Sequence, residues 1–286
     1  MRLLVLGGTG LLGQEVVAEA RRRRIPALGL SRRQADVRER GQLERAVASF
    51  RPTVLVNCAA FTRVDDCESQ RELAFEVNGR AVANVAGVAR AAGLPLIQVS
   101  TDYVFDGQGT EAYREDHPVA PRSVYGASKR LGEEVALAYD DALVLRVSWL
   151  FGAAGPNFVA TMIRLMAQGQ KALKVVDDQV GGPTYTLYVA RALCDLATLG
   201  ARGLVHYQNR EAVSWYGFTR EIARQWNPRV EVVPVTTAAF PRPAPRPAYS
   251  VLDVSRFEEL AGRTVETWSA GLAHYLDSLR STRREA

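Results

Sequence analysis

With 286 residues, 47% of them hydrophobic and 23% charged, the chain can bury a sizeable core, either as one large unit or as two closely joined lobes. Its formal net charge of +5 comes from arginines spread along the whole chain with only three lysines, and the one dense run, Arg21 to Arg24, falls at the end of an expected helix, where cations complement the dipole. No nucleic-acid-binding pattern accompanies the charge, no apolar run is long enough to cross a bilayer, and no charged-then-apolar leader opens the chain. A cytoplasmic protein without nucleic-acid or membrane partners is therefore expected. Cys58, Cys67 and Cys194 are odd in number and widely spaced, and His117, His206 and His274 form no ligand spacing with them, so neither a disulfide framework nor a zinc site is expected.

The chain opens with an apolar strand at residues 2–6, followed by Gly7-Gly8-Thr9-Gly10-Leu11-Leu12-Gly13 and a helix over 14–24. Gly8-x-Gly10-x-x-Gly13 between a strand and a helix is the dinucleotide fingerprint: the glycines allow a tight turn and a close backbone approach to a pyrophosphate, which the helix N-terminus attracts. The next strand, 27–30, ends in Ser31, Arg32 and Arg33, where a site for the unphosphorylated cofactor would place an acid. The two guanidinium groups suit a ribose 2′-phosphate, so NADPH is expected in preference to NADH.

Further on, strands at 54–57, 96–100 and 143–147 alternate with helices at 72–92 and 125–139, which predicts an α/β fold with a doubly wound parallel Rossmann sheet. Ligands bind such sheets at the carboxyl ends of the strands. Ala59, Ala60 and Val99 to Thr101 sit at those ends, and the small alanines let a cofactor pass close to the backbone.

Tyr125 and Lys129 lie four apart, on one face of the predicted helix. At roughly 4 Å and an effective dielectric of about 20, the ammonium would lower the phenol by about three pKa units and ready it as a proton donor near neutral pH. Thr101, at the end of a strand facing the same crevice, can hydrogen-bond a substrate carbonyl oxygen as charge develops there.

After Phe151 the apolar segments shorten, with helices expected at 158–168, 185–198 and 215–226 and strands at 174–176 and 204–207. Residues 1–152 read as the dinucleotide-binding domain and 153–286 as a smaller substrate-binding lobe, with a few elements crossing back to the sheet. The stiff segment Pro241 to Pro247 is suited to deliver Arg242 or Arg246 to a nucleotide diphosphate.

The glycine turn, Thr101, Tyr125 and Lys129 together resemble the extended short-chain dehydrogenase/reductase superfamily. Segments 57–68 (NCAAFTRVDDCE), 99–107 (VSTDYVFDG), 148–152 (SWLFG), Asn157 with Phe158, 178–184 (DQVGGPT) and 246–253 (RPAYSVLD) resemble, in order, the blocks of the dTDP-4-dehydrorhamnose reductase family. The resemblance implies reduction of the 4-keto group of a dTDP-deoxy-sugar by a nicotinamide cofactor. Hydride would pass to sugar C4, Tyr125 would protonate the alkoxide, and Lys129 would hold the nicotinamide ribose. By position, Gly7 and Gly10 to Gly13 would hold the pyrophosphate, with Asp36 and Val37 flanking the adenine. Ala60, Phe61, Thr62 and Val99 would line the cofactor channel. Thr101, Asp102 and Trp149, with Asn157 and Arg246, would meet the sugar nucleotide.

Some family members bind magnesium between subunits through carboxylates. Glu15 matches one of these, but no acid follows Thr184 before Asp195, so no metal is expected and a homodimer, if formed, would not depend on one. Two alternatives stay open: an epimerase or dehydratase of the same superfamily, and a non-catalytic subunit resembling the regulator of methionine adenosyltransferase.

Overall fold

In the computed structural model, which describes residues 1–285, six parallel strands form the central sheet. They are β1 (Leu3–Leu6), β2 (Ala27–Leu30), β3 (Val54–Asn57), β4 (Leu96–Thr101), β5 (Ala142–Val147) and β6 (Gly203–Tyr207), in the order β6-β5-β4-β3-β1-β2. The chain steps from β1 out to β2, then returns to β3 on the other side of β1, pairing Leu6 with both Leu30 and Asn57. That reversal opens a crevice at the carboxyl ends of β1 and β3.

Both faces of the sheet are covered, so its strands are apolar on both sides. Along β1, Leu3 and Val5 enter one core while Leu4 and Leu6 enter the other. The first core also takes in helix α1 (Leu11–Arg22), the helix Thr186–Leu199 packed against it, and most apolar residues of the second half. The two halves therefore share one continuous core, and β6, contributed by the second half, pairs with β5. Among the described residues no helix is long and apolar enough to cross a membrane.

The expected helix over 72–92 is interrupted. It runs as Arg71–Phe75, a π-helical turn at Glu76–Arg80, and Val82–Ala91. Helices at Arg40–Phe50, Val64–Ser69, Ser255–Ala261 and Trp268–Glu285 join those read from the sequence.

Helix α2 (Val124–Leu137) carries the Tyr125–Lys129 pair and lies unusually close to its neighbours. A Cβ on Gly132 would come within 2.2 Å of the Asn78 carbonyl oxygen. One residue on, Glu133 accepts two 2.7 Å hydrogen bonds from Arg146 of β5, an ion pair with both members fully buried. Arg146 also lies 4.9 Å from the Phe105 ring and 3.3 Å from His206 Nε2. Burial, followed by the Arg146 charge, pushes the His206 imidazole down to about 3, so it is neutral; its Nδ1, 3.1 Å from the Tyr113 carbonyl, carries the proton while Nε2 accepts.

Gly132→Ala is expected to lower the unfolding free energy by roughly 1–3 kcal/mol, because the carbonyl of Asn78 belongs to backbone that cannot yield cheaply. A denaturation midpoint equal to that of the unaltered protein would contradict the close approach.

Candidate active site

On the cofactor side, Gly10 N–H donates to the Gly7 carbonyl at 2.9 Å, closing the turn after β1. A Cβ on Gly13 would meet that same carbonyl oxygen at 2.2 Å, so this position requires glycine. Helix α1 begins with no side-chain cap and no acid in its first turn, which leaves the N–H groups of Leu11, Leu12 and Gly13 for an anion. The Leu12 side chain itself is core. An adjoining cleft of about 240 Å³ is walled by Gly7, Gly10, Arg32, Asp36, Val37, Ala59, Ala60 and Phe61, with Thr9, Ala35, Cys58, Leu73 and Val77 completing it. Uncapped helix N-terminus, glycine cradle and apolar cleft together fit a dinucleotide.

The charged end of this cleft differs from the expected arginine pair. Arg32 lines it and donates to Asp36 Oδ2 at 3.2 Å, whereas Arg33 is exposed and outside the lining. The second arginine at Asp36 is Arg38, whose Nε and Nη2 reach the carboxylate at 3.0 and 2.6 Å and hold its pKa far below the usual range. Ser31 is tied to Gln34 through a 2.8 Å hydrogen bond, and Thr62 is exposed. Asn84 fixes the segment from below by donating to the carbonyls of Val37 and Arg38 at 3.1 and 3.0 Å.

Thr101, Tyr125 and Lys129 are all buried where β4 meets the start of α2. Ser123 caps that helix by accepting from the Gly126 N–H at 3.1 Å. Lys129 Nζ donates to the Val99 carbonyl at 2.6 Å; burial lowers its pKa to about 8, with Glu133 pulling the other way.

Tyr125 departs from the expected behaviour, since its pKa is raised rather than lowered. Burial is the main cause and the Asp102 carboxylate adds to it; the leading influence in the other direction is the Thr101 hydroxyl, not the Lys129 charge. The Thr101 hydroxyl accepts from Tyr103 N–H at 3.2 Å and donates its single hydrogen to Asp102 Oδ1 at 2.9 Å. The Thr101 hydrogen is thus committed to the carboxylate and is not directed at a substrate carbonyl.

Asn78 is a member of the site that the sequence did not disclose. Its Oδ1 accepts from Phe61 N–H at 2.7 Å, and its Nδ2 donates to the Phe61 carbonyl and to Ser128 Oγ, both at 3.0 Å. The π-helical turn aims this buried amide between the cofactor wall and α2.

Of the residues expected to meet the sugar nucleotide, Trp149 has φ of +41° and stacks flat on Trp215, ring centroids 3.4 Å apart. Arg246 is paired at 3.0 Å with Asp65, which also accepts from Ala244 N–H at 3.2 Å. Asn157 is committed elsewhere. It caps the helix Phe158–Ala167 through a 3.0 Å bond from Ala160 N–H and donates to the Gly152 carbonyl at 2.8 Å.

The family profile described as the RmlD substrate binding domain matches residues 1–281. The chain belongs to this family. A dTDP-4-dehydrorhamnose reductase of Streptomyces griseus is 42% identical, the match covering 97% of this chain and 94% of the relative. Among solved structures, a dTDP-4-dehydrorhamnose reductase of Clostridium acetobutylicum superposes with a TM-score of 0.93 at 36% identity, covering 98% of this chain and 100% of the other. That of Bacillus anthracis, determined in complex with NADP, also gives 0.93, at 34% identity and with 97% and 99% of the two chains covered.

Asn78→Ala removes a clamp that satisfies both backbone groups of Phe61, at a cost of roughly 1–3 kcal/mol for each polar group left buried without a partner. The expected result is a lower melting temperature together with several-fold weaker NADPH binding in a fluorescence titration. Unchanged cofactor affinity would mean that the Phe61 wall is held by something else.

Proposed function

We propose that this protein reduces the 4-keto group of dTDP-4-dehydro-β-L-rhamnose with NADPH to give dTDP-β-L-rhamnose, the last step of dTDP-L-rhamnose biosynthesis. The observation that carries the chemistry is the buried Tyr125 phenol, at the meeting of β4 and α2 with buried Thr101 and one helix turn from buried Lys129. The near full-length likeness to reductases of this name supports the identity of the sugar nucleotide.

A bound reduced nicotinamide supplies the hydride. Tyr125 donates the proton, and its raised pKa suits a donor, because the phenol stays protonated through the neutral range and yields only to a stronger base, which a developing sugar alkoxide is. Lys129 keeps one N–H on the Val99 carbonyl, leaving its other two for the nicotinamide ribose hydroxyls. Tyr103 packs edge-on against Tyr125 at 5.5 Å between centroids and helps to bury the phenol. The trio of Thr101, Tyr125 and Lys129 favours turnover over a purely regulatory role.

The preference for NADPH over NADH rests on Arg32, 70% exposed at the cleft rim, whose guanidinium would meet a 2′-phosphate by leaving or sharing its 3.2 Å contact with Asp36.

Tyr125→Phe is expected to keep NADPH binding and to lose roughly 10²–10⁴-fold in kcat. Following NADPH absorbance with dTDP-4-dehydro-β-L-rhamnose, and identifying the sugar formed, tests both the residue and the reaction. Reduction at the unaltered rate by the variant would remove Tyr125 from the proton-donor role. Arg32→Ser should raise the KM for NADPH roughly tenfold or more while leaving that for NADH nearly unchanged; equal effects on both would detach Arg32 from the phosphate.

A further inference from the structure

The segment after the Phe61 wall has no part in the hydride or proton transfer, although it closes the block at 57–68. It folds as the helix Val64–Ser69. Its Cys67 is fully buried in a small apolar cluster with Val124 and Tyr125, onto which Phe61 and Tyr103 also pack. Asp65 ties the same helix to the strap around Arg246, accepting the Ala244 N–H at 3.2 Å and pairing with the guanidinium at 3.0 Å. The helix is thereby fixed on several sides and can act as a rigid support.

What it supports is the first turn of α2. That turn has no acid of its own, and the Ser123 hydroxyl serves the Gly126 N–H, so the Val124 N–H needs a partner from outside the helix. Glu68 supplies it from 56 residues earlier in the chain: its Oε1 accepts the Val124 N–H at 2.9 Å. The bond is charge-assisted, and the carboxylate stands at the positive end of the helix dipole. On the other side of Tyr125, a Cβ on Gly126 would come within 2.1 Å of the Tyr103 carbonyl oxygen, so the turn sits directly on the backbone that follows β4. Tyr125 is the residue between these two contacts.

On the reading that the protein reduces a keto sugar, we propose that Glu68 is a positioning residue for the reaction: by holding the Val124 N–H it fixes the turn that carries Tyr125, and so sets the phenol against the segment that walls the cofactor cleft. The anchor at Gly132 and Glu133 lies two turns further on. It fixes the run of α2 along the sheet but leaves the first turn free to fray, as helix ends do. Glu68 removes that freedom at the residue whose oxygen must be placed, and a misplacement of about 1 Å costs up to about a hundredfold in rate. Because Glu68 acts through the backbone of α2, its loss slows turnover and leaves cofactor capture nearly intact.

Kinetics and amide hydrogen exchange of Glu68→Ala and Glu68→Gln test the assignment. With NADPH and dTDP-4-dehydro-β-L-rhamnose, well below the melting temperature, Glu68→Ala should lose roughly ten- to a hundredfold in kcat with the KM for NADPH nearly unchanged. Glu68→Gln keeps an acceptor oxygen at the same reach and should recover most of that loss. The Val124 amide should exchange roughly tenfold or more faster in the alanine variant and at close to the unaltered rate in the glutamine variant. Unaltered kcat in Glu68→Ala with only a lower melting temperature would make Glu68 a structural residue and overturn the proposal. So would a glutamine variant as slow as the alanine variant. Should Glu68→Ala not fold, Glu68→Asp, whose carboxylate is one methylene short of Val124, takes its place, and unaltered kcat there overturns the proposal equally. Failure of the unaltered protein to oxidise NADPH with this sugar would instead refute the reductase reading, while the exchange rates still decide whether Glu68 holds the turn.

Discussion

The site depends on how closely α2 lies against the sheet. Gly132 leaves room for the Asn78 carbonyl, and the adjacent Glu133 reaches Arg146 of β5, so the helix is pinned by a backbone contact on one side and a buried ion pair on the other. Breaking such a pair by removing one partner leaves an uncompensated buried charge, a cost of roughly 3–5 kcal/mol that makes the docking geometry hard to alter. Tyr125 and Lys129 are on the same helix, two and one turns before that anchor. Their positions relative to Thr101 and Val99 follow from it.

Enclosure also decides the proton chemistry. Four helix positions would let an ammonium stabilise a phenolate if both groups were in a watery medium, and that is the effect the spacing alone predicts. In the folded chain, burial acts on both members in the direction of neutrality, raising the phenol and lowering the ammonium. What remains is an acid that holds its proton until a strong base forms beside it. A second buried acid, Asp102, stands on the turn after β4 and takes the hydrogen of Thr101, the last residue of that strand.

Much of this was legible in the sequence because the signals were local. A four-residue apolar run followed by a glycine turn reads as the start of a doubly wound sheet, and Thr101, Tyr125 and Lys129 stand at positions where strand ends and helix faces bring them together. The missing features are those that depend on a shift of register or on a choice between partners. Helical periodicity conceals the extra residue of the π-helical turn, so nothing marked Asn78 as the clamp on Phe61. Arg33 and Arg38 are equally basic in the sequence, and only the path of the loop after β2 gives Asp36 to Arg38. Asn157 lies within a family-like block, but an asparagine before an apolar helix is also a cap, and the cap uses both ends of its amide. Residues 204–207 read as a strand; that they extend the first sheet is a long-range pairing invisible in the local pattern.

The two sides of the site are built on different principles. The cofactor wall is largely backbone and small residues, and a strand-to-helix turn suffices to make it. The residues expected on the substrate side are instead large side chains held by partners from distant segments. Trp149 adopts a left-handed backbone conformation, uncommon for a bulky residue and worth of order 1–3 kcal/mol of strain, which the flat stack on Trp215 offsets. The indole fits there because residue 181 is glycine: a Cβ would stand 2.4 Å from Trp149 Cε2. Arg246 is held likewise by Asp65, so the guanidinium that the sequence pattern offers to a diphosphate already has a carboxylate seated on it. That ion pair, with the Ala244 N–H on the same carboxylate, ties the strap around Arg246 to the segment following Phe61, next to the wall that lines the cofactor cleft.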